Sequence, residues 1–577
     1  MERKERKFNI NEVRLIPNVI YTEFAHCQDC HRCIRVCPVK AIRISNGQAR
    51  VTDELCIHCG SCVRECPQHA KVIAPSLTKV KHLLQQHSSV AVSVAPSFAA
   101  LFSGWGAKRL PSALRLLGFS YIAETAEAAQ LVSEETLKVL DQGNIATACP
   151  AAVNYIEKYK PELISQLLPV VSPMIAHGRL LKERLGADTK VVFIGPCAAK
   201  KQEAMRSELR GAIDEVLTFV EVMDWLEEEG IDVATCPDSD FDNAGNYNTA
   251  RLYPLQSGLL KTCDLNTDIA SDKILHISGP DELISLFDSE MHQKYQLIEP
   301  LFCSGGCING PAFPGEKNLF MKKQSLLEYV HQRKQVNTKI PRPLISTYTQ
   351  FNVEEAVLFD EVDESQIQIA LERTGKGDLA QQLNCGACGY DTCREKAIAV
   401  VRGLADPEMC LPYMRRLAQQ RTDKIMETSP DGIVILDGDL RLIHMNPSFQ
   451  KMFFCNNGIL GKRITYLLNS DGFEKLSRGE AEQYEAIRSK YGVKYHEILY
   501  ALRSENQYVG IYSNISQVKF DDSQMDLIKR QTLEHVKELL DHQISFSQQL
   551  AHFLGKNTAQ SEDLVRQITD LFNEEKK

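Results

Sequence analysis

The sequence predicts a multidomain chain in which α+β and α/β units follow one another, and three observations carry that reading. Its 577 residues exceed what one core supports, since chains beyond about 250–300 residues split into domains. Its 19 cysteines are bunched into tight groups separated by long stretches. Between and beyond those groups, alternating strand and helix signals give way to a β-rich segment and then to a helical run.

Composition narrows the class. Hydrophobic residues make up 44% and charged residues 24% of the chain, as in an ordinary soluble protein. The net charge of −9 offers no basic footprint for nucleic acid, and the mixed-sign run at residues 2–7 reads as a solvated tail. No apolar run approaches the ~18 residues that span a bilayer, and no signal peptide precedes the first motif. The expectation is a cytoplasmic protein with no nucleic-acid partner and no membrane span. In a reducing compartment the cysteines serve metals rather than disulfides. Only Cys236, Cys263 and Cys455 fall outside the metal-type spacings, and these read as small buried hydrophobes.

The first unit, residues 1–80, holds one pattern twice: Cys27, Cys30, Cys33 and Cys37 before Pro38, then Cys56, Cys59, Cys62 and Cys66 before Pro67. Three closely spaced thiolates wrap one corner of a cubane, while the proline turn carries the fourth to the other cluster. That predicts one cluster on Cys27, Cys30, Cys33 and Cys66, and a second on Cys56, Cys59, Cys62 and Cys37. A zinc ribbon would leave the duplicated third and fourth cysteines without a purpose. The segment resembles a two-[4Fe-4S] ferredoxin, which implies one-electron transfer.

The second unit, residues 88–345, alternates strands and helices. Residues 90–94 and 190–194 read as buried strands, the first ending at Ala95-Pro96 and the second at Gly195-Pro196-Cys197, and 109–117 reads as an amphipathic helix. Thr147-Ala148-Cys149-Pro150 also sets a cysteine beside a proline just after a strand signal. Further on, Cys303 and Cys307 face each other across Ser304, Gly305 and Gly306, with glycines letting the backbone crowd between two thiolates. Strand-end loops are where α/β folds build sites, so Cys149, Cys197, Cys303 and Cys307 can converge on one pocket.

Those three stretches resemble the three signature motifs of the [FeFe] hydrogenases, in the family's order, and Ala95-Pro96 matches an element upstream of the first. The resemblance implies an H-cluster. Cys149, Cys197, Cys303 and Cys307 would hold a [4Fe-4S] cubane, with Cys307 bridging to a two-iron subcluster that carries CO, cyanide and a dithiolate amine. Lys200 would donate a charge-assisted hydrogen bond to a cyanide. The departures are as informative. Catalytic members have a proton-donor cysteine where this chain has Ala148, a serine of the usual relay falls at Leu168, and two methionines are replaced by Gly195 and Leu301. An alanine methyl passes no proton, and general acid–base steps are worth ~100- to 10,000-fold in rate. Slow turnover at an assembled centre is the expectation.

Residues 353–368 have the charge pattern of a solvated connecting helix. In the third unit, residues 365–415, Cys385, Cys388 and Cys393 form a C-x2-C-x4-C run. Gly386 and Gly389 give the backbone room, and a helix over 394–401 returns the chain to Cys410 beside Pro412. The pattern resembles a small helical single-[4Fe-4S] domain, expected as a redox station between the central domain and the C-terminal third of the chain.

Residues 425–518 read as strand 433–436, a turn at Asp437-Gly438-Asp439, strand 441–445, a helix from Asn446-Pro447, and two β-rich segments at 495–502 and 508–515. This resembles a PAS domain. His444 and His496 could be proposed as haem ligands, Cys455 sits in no flavin-adduct motif, and the expectation is an empty relay or dimer contact. Over 519–577, Met525, Thr532, Leu539, Phe546 and Phe553 recur every seven residues, and after Gly555 a second helix carries Leu564, Ile568 and Leu571 inward. The tail reads as a signalling or dimerisation element, and no kinase, ATP-binding or DNA-binding motif supplies an output within the chain.

Three functions compete on this reading. The first is a hydrogen sensor with slow reversible H2 oxidation and proton reduction, relaying cluster state through the PAS domain to a partner protein, with ferredoxin as redox partner and a homodimer as its assembly. The second is a catalytic ferredoxin-linked [FeFe] hydrogenase, which Ala148 opposes. The third is a hydrogenase-like Fe–S protein lacking the two-iron subcluster.

Overall fold

The computed structural model describes residues 18–516 apart from 46, 103, 246, 248, 268–272, 315–317, 333–343, 354, 355, 358, 360 and 504. The helical tail read over 519–577 therefore lies outside the described residues. The chain divides into two units, Met1–Met409 and Cys410–Lys577.

In the first unit, the cysteine repeat is also a backbone repeat. After Cys27, Asp29, His31 and Lys40 take φ of 49°, 57° and 50°; after Cys56, His58, Gly60 and His69 take 58°, 76° and 51° at the same offsets. Non-glycine residues seldom enter that left-handed region, and here each bend turns the chain around a thiol. Helical turns Arg32–Arg35 and Ser61–Arg64 follow. The backbone N–H groups of Ala41 and Ala70 then point at Cys37 Sγ and Cys66 Sγ, at 3.2 and 3.3 Å. Strands β1 (Ile20–Thr22), β2 (Ile42–Ser45), β3 (Gln48–Val51) and β4 (Lys71–Ile73) close the module as two antiparallel pairs, β1 with β4 and β2 with β3.

The central part is a four-stranded parallel sheet of β5 (Val90–Val94), β6 (Tyr121–Glu124), β7 (Lys190–Gly195) and β8 (Glu215–Thr218), in the order β6-β5-β7-β8. A parallel pair, β9 (Ile274–Ser278) and β10 (Leu297–Leu301), lies apart from it. β5 and β10 are buried along their whole length; β5 reads as a near-continuous apolar run for that reason, whereas Glu299 and Pro300 interrupt β10. Ile145 bridges in parallel to Leu167 and Ile298, tying the approach to Cys149 to β10. The amphipathic helix expected over 109–117 is Trp105–Leu116. Cys236 and Cys263 are buried, whereas Cys455, in the second unit, is only half-buried.

The solvated helix read over 353–368 is not what forms. Among the described residues of that stretch, the α-helix is Glu364–Arg373, which starts where Asp363 caps Ser365 N at 3.3 Å. Its Ile367, Ala370 and Leu371 are buried with Ala397 of helix Cys393–Val401. The chain ahead of it is held by the α/β domain: Asn352 N donates to Glu157 Oε1 at 3.1 Å and Val357 N to Lys158 O at 2.8 Å. Charge pattern alone could not register those anchors.

The second unit opens with Cys410 at the N-cap of helix Leu411–Thr428. It continues into an antiparallel sheet of β11 (Gly432–Leu436), β12 (Leu442–Met445), β13 (Gln483–Lys490), β14 (Val493–Leu502) and β15 (Gln507–Asn514), ordered β12-β11-β15-β14-β13. Asn446 starts helix Pro447–Met452: its Oδ1 accepts from Phe449 N and Ile433 N at 2.9 and 2.8 Å, and its Nδ2 donates to Asp431 O at 2.8 Å. Phe449, Phe453, Tyr495 and Tyr512 fill the centre, with ring centroids 4.7–5.7 Å apart. His444 is exposed on edge strand β12, and His496 is buried on β14 beside Glu485. Among the described residues, no helix is long and apolar enough to cross a membrane.

Candidate metal centre

The parallel strands and their loops set the four central cysteines. Cys197 follows β7, and Cys303 follows β10. Cys149 precedes helix Pro150–Tyr159, whose proline sits at the first turn, where its missing N–H costs nothing. Cys307 is brought in by a tight turn. Gly305 and Gly306 take φ of +80° and +92°, Cys307 N donates to Pro254 O at 2.7 Å, and a Cβ at Gly306 would stand 2.3 Å from that same carbonyl. Glycine is required there.

The four thiols share one electrostatic environment. Burial pushes the Cys197 thiol up to about 11, with Cys149 adding to the rise and Lys200 opposing it. Burial also pushes Cys303 well up, with Cys197, Cys307 and Cys149 as its charged neighbours, and raises Cys307, which feels Cys149, Cys197, Lys200 and Glu299. Lys200 Nζ bonds Glu203 at 2.8 Å and reaches Ala148 O at 3.4 Å. Raised thiols of this kind become thiolates only when cationic metal displaces their protons. Among the described residues, no three His, Cys, Asp or Glu side chains close on a single ion. Four cysteine thiols near enough to influence one another are the donor set that a cluster takes.

The N-terminal thiols fall into two groups. Burial pushes Cys33 up to about 11, and the neighbouring thiols that add to it are Cys30, Cys27 and Cys66. Cys62 is raised by burial and then by Cys56, Cys37 and Cys59. The second group abuts the central site. Cys59 feels Cys149, and Cys303 feels Cys59. The helix that starts at Pro150 grips the loop bearing Cys56: Asn154 Nδ2 donates to Ile57 O at 3.2 Å, Lys158 Nζ to Cys56 O at 2.8 Å, and Tyr159 OH to Leu55 O at 2.6 Å. Cys388 and Cys393 are half-buried and Cys385 is exposed.

Around this centre the expected proton-relay positions are apolar. Leu168 is fully buried in a cluster with Ala129, Leu260 and Leu297, against which Ala148 packs. At Gly195 a Cβ would stand 2.6 Å from the Phe193 ring, so that ring occupies the space a side chain at 195 would use. Leu301 is buried at the end of β10.

Two buried polar features escaped the sequence reading. Glu299, 2% exposed, accepts from Leu259 N at 3.1 Å, and burial pushes its carboxyl up to about 7. An acid inside the apolar run of β10 was its signal. The second is a network in which Ser93 Oγ meets His177 Nδ1 at 2.6 Å, while Arg184 and Asn243 donate to Glu127 at 2.5–3.0 Å. Its members are scattered over 150 residues and carry no local pattern.

The chain combines iron–sulfur domains with a hydrogenase-type domain and a PAS domain in a multidomain α/β architecture. Residues 88–311 match the family of the iron-only hydrogenase large subunit, C-terminal domain; residues 19–67 a 4Fe-4S dicluster domain; residues 381–412 a putative Fe-S cluster domain; and residues 420–487 a PAS domain. The chain is homologous to the [FeFe] hydrogenases and to the NAR1 assembly factors, and carries dicluster, further Fe–S and PAS domains. It is 26% identical over 295 residues to the periplasmic [Fe] hydrogenase large subunit of Nitratidesulfovibrio vulgaris, covering 41% of this chain and 70% of that one. It is 32% identical over 153 residues to the cytosolic Fe-S cluster assembly factor NAR1 of Vanderwaltozyma polyspora, spanning 25% of this chain and 29% of that relative. Among solved structures, a variant of [FeFe]-hydrogenase HydA1 from Chlamydomonas reinhardtii is 19% identical, covering 45% of this chain and 91% of that one, with a TM-score of 0.37.

Proposed function

We propose that this chain is a hydrogen sensor: an [FeFe]-hydrogenase-type protein that binds H2 at an H-cluster and turns it over slowly. In this reading the domains run 1–80, 88–345, 365–415, 425–518 and 519–577. Cys149, Cys197, Cys303 and Cys307 hold the central cubane, and Cys307 also holds the two-iron subcluster. Cys27, Cys30, Cys33 and Cys66, then Cys37, Cys56, Cys59 and Cys62, hold the N-terminal pair, while Cys385, Cys388, Cys393 and Cys410 hold the last cubane. When bound, the H-cluster supplies the interconversion 2H⁺ + 2e⁻ ⇌ H2.

The protein's own residues do the rest. Lys200, held by Glu203 and the carbonyl of Ala148, presents an ammonium beside Cys197 and Cys307, where it would donate to a cyanide. The apolar cluster of Ala148 and Leu168 withholds protons from the same place. That pairing, a cationic donor beside Cys197 and Cys307 and hydrocarbon at positions 148 and 168, is the single observation that carries the reading: it favours occupancy over turnover. The output passes to a cytoplasmic partner protein by way of the PAS domain and the tail, in a homodimer, with a ferredoxin-type redox partner. The test is infrared spectroscopy after maturation with the two-iron cofactor, where CO and cyanide bands shift under H2.

A second reading has its own support. The NAR1 relatives favour a hydrogenase-like Fe–S protein without the two-iron subcluster. It predicts a chain with filled cubanes and no such bands.

A further inference from the structure

We infer that the single-cluster domain is wired to the hydrogenase-type site through the N-terminal module, with Lys40 and Tyr390 as the positioning residues that seat the Cys388 loop against Cys37. This rests on the reading that these cysteines hold iron–sulfur clusters. Chain order alone would put that domain downstream of the α/β domain, and its contacts place it elsewhere.

Three observations bring the Cys388 loop to the N-terminal module. Lys40 Nζ donates to Gly389 O at 2.8 Å and reaches Ile34 O at 3.4 Å, so one ammonium pins two loops 349 residues apart. Gly389, at φ +92°, lies so close to Ile34 that a Cβ would stand 2.7 Å from its Cγ2 and 3.3 Å from Arg35 N. Tyr390 is 4% exposed and belongs to the same apolar cluster as Cys33, Ile34 and Cys37, with Cys388 packed on its edge.

The backbone that Gly389 presses on, Ile34 and Arg35, lies between Cys33 of one thiol group and Cys37 of the other. Cys37 shares its group with Cys59. Cys59 in turn neighbours Cys149 and Cys303, and Gly60 faces Pro311 of the α/β domain, where a Cβ would meet the ring at 2.4 Å. Electron tunnelling falls off steeply with edge-to-edge distance, so the route with the shortest gaps dominates. The contacts run from the Cys388 loop to Cys37, and from Cys59 to Cys149 and Cys303, and the electron follows them. The thiol group of Cys37 is then a junction that meets the Cys33 group, the Cys388 loop and the central site. A single electron passes at each gap, and no bond is made or broken. The external electron comes from a low-potential one-electron donor, for which dithionite serves in the test.

The test is pulsed EPR on the full chain, reduced stepwise with dithionite, beside its Lys40→Ala and Cys388→Ser variants. In the unmodified chain, the signal lost in Cys388→Ser should show dipolar coupling to the N-terminal clusters. Lys40→Ala, with iron content unchanged, should weaken that coupling and slow reduction of one by the other. A Cys388→Ser spectrum equal to the unmodified one minus an isolated signal, with no dipolar coupling in the unmodified chain, overturns the inference while leaving the clusters in place. Absence of iron from the Cys385, Cys388 and Cys393 loop overturns the cluster assignment itself, and an iron count separates the two failures. Where Cys388→Ser does not fold, Lys40→Ala with unchanged iron content decides: a coupling that it weakens supports the inference, and couplings all identical to those of the unmodified chain overturn it.

Discussion

Restoring a thiol at Ala148 isolates the proton argument. Ala148 is half-buried on the edge of the cluster that contains Leu168, so Ala148→Cys adds one sulfur atom to a position with room at its border. Leu168→Ser is a harsher change. Leu168 is fully buried, and truncating such a leucine typically costs about 2–5 kcal/mol before the new hydroxyl finds a partner. The first substitution therefore changes chemistry with little change in packing. A positioned general acid is worth ~100- to 10,000-fold, and the low end applies because Leu168 still interrupts the path. The expected gain is about 100-fold in H2 evolution, a barrier lower by about 2.7 kcal/mol. The assay is H2 evolution from reduced methyl viologen by the matured protein, with melting temperature and iron content checked in parallel. Turnover that stays at the parental level in Ala148→Cys and also in Ala148→Cys/Leu168→Ser, with both variants folded and loaded, would refute the reasoning.

Three further outcomes are expected. Glu124 and Arg251, each no more than 2% exposed, are joined at 2.9 and 3.0 Å; Glu124→Ala removes the carboxylate that neutralises this buried guanidinium and should cost about 3–5 kcal/mol, read as a lower urea midpoint. Burial lowers His177 to about 4, with Arg184 acting the same way and Glu127 opposing. Because the folded value lies below the ordinary 6.5, the stability it contributes is complete above pH 6.5 and is lost as pH falls toward 4. At 1.36 kcal/mol per pH unit this is on the order of 3 kcal/mol. Burial alone would raise Glu127, but Arg184, His177 and Asn243 hold its carboxyl below the usual range, so it adds to the loss in acid. His177→Gln should flatten the melting profile between pH 6.5 and 5. Iron analysis of the matured chain should give roughly sixteen cubane irons plus two, and zinc in place of four of them at the Cys385 loop would displace that assignment.

How much the sequence disclosed depends on how far each constraint reaches along the chain. A repeated spacing is local, so the repeat of Cys27 to Cys37 in Cys56 to Cys66 was legible, whereas the left-handed residues that repeat with it were not announced. Strands β5 and β7 were legible because burial of parallel strands writes near-continuous apolar runs, and Asn446-Pro447 because a cap and a first-turn proline are neighbours. Tertiary decisions were not legible. Gly195 looked like a plain loss, yet Phe193 fills its space two residues away on the same face of β7. The stretch at 353–368 carried a helical charge pattern, but Val357 within it is held by Lys158 and Asn352 just ahead of it by Glu157. No pattern in either segment announces that Lys40 will meet Gly389. The buried acid Glu299 shows the intermediate case, a single conspicuous residue whose partners on Leu259 and its neighbours lie forty residues earlier.

The central claim is that Cys307 and Lys200 complete a hydrogen-binding centre in a chain whose proton path is closed. Infrared spectra of the full chain, matured with the two-iron cofactor and recorded under argon and then H2, test it most directly. The account predicts CO and cyanide bands that shift reversibly with H2, with cyanide bands displaced in Lys200→Ala. A matured chain with filled cubanes and no CO or cyanide bands would contradict it and favour the assembly-factor reading.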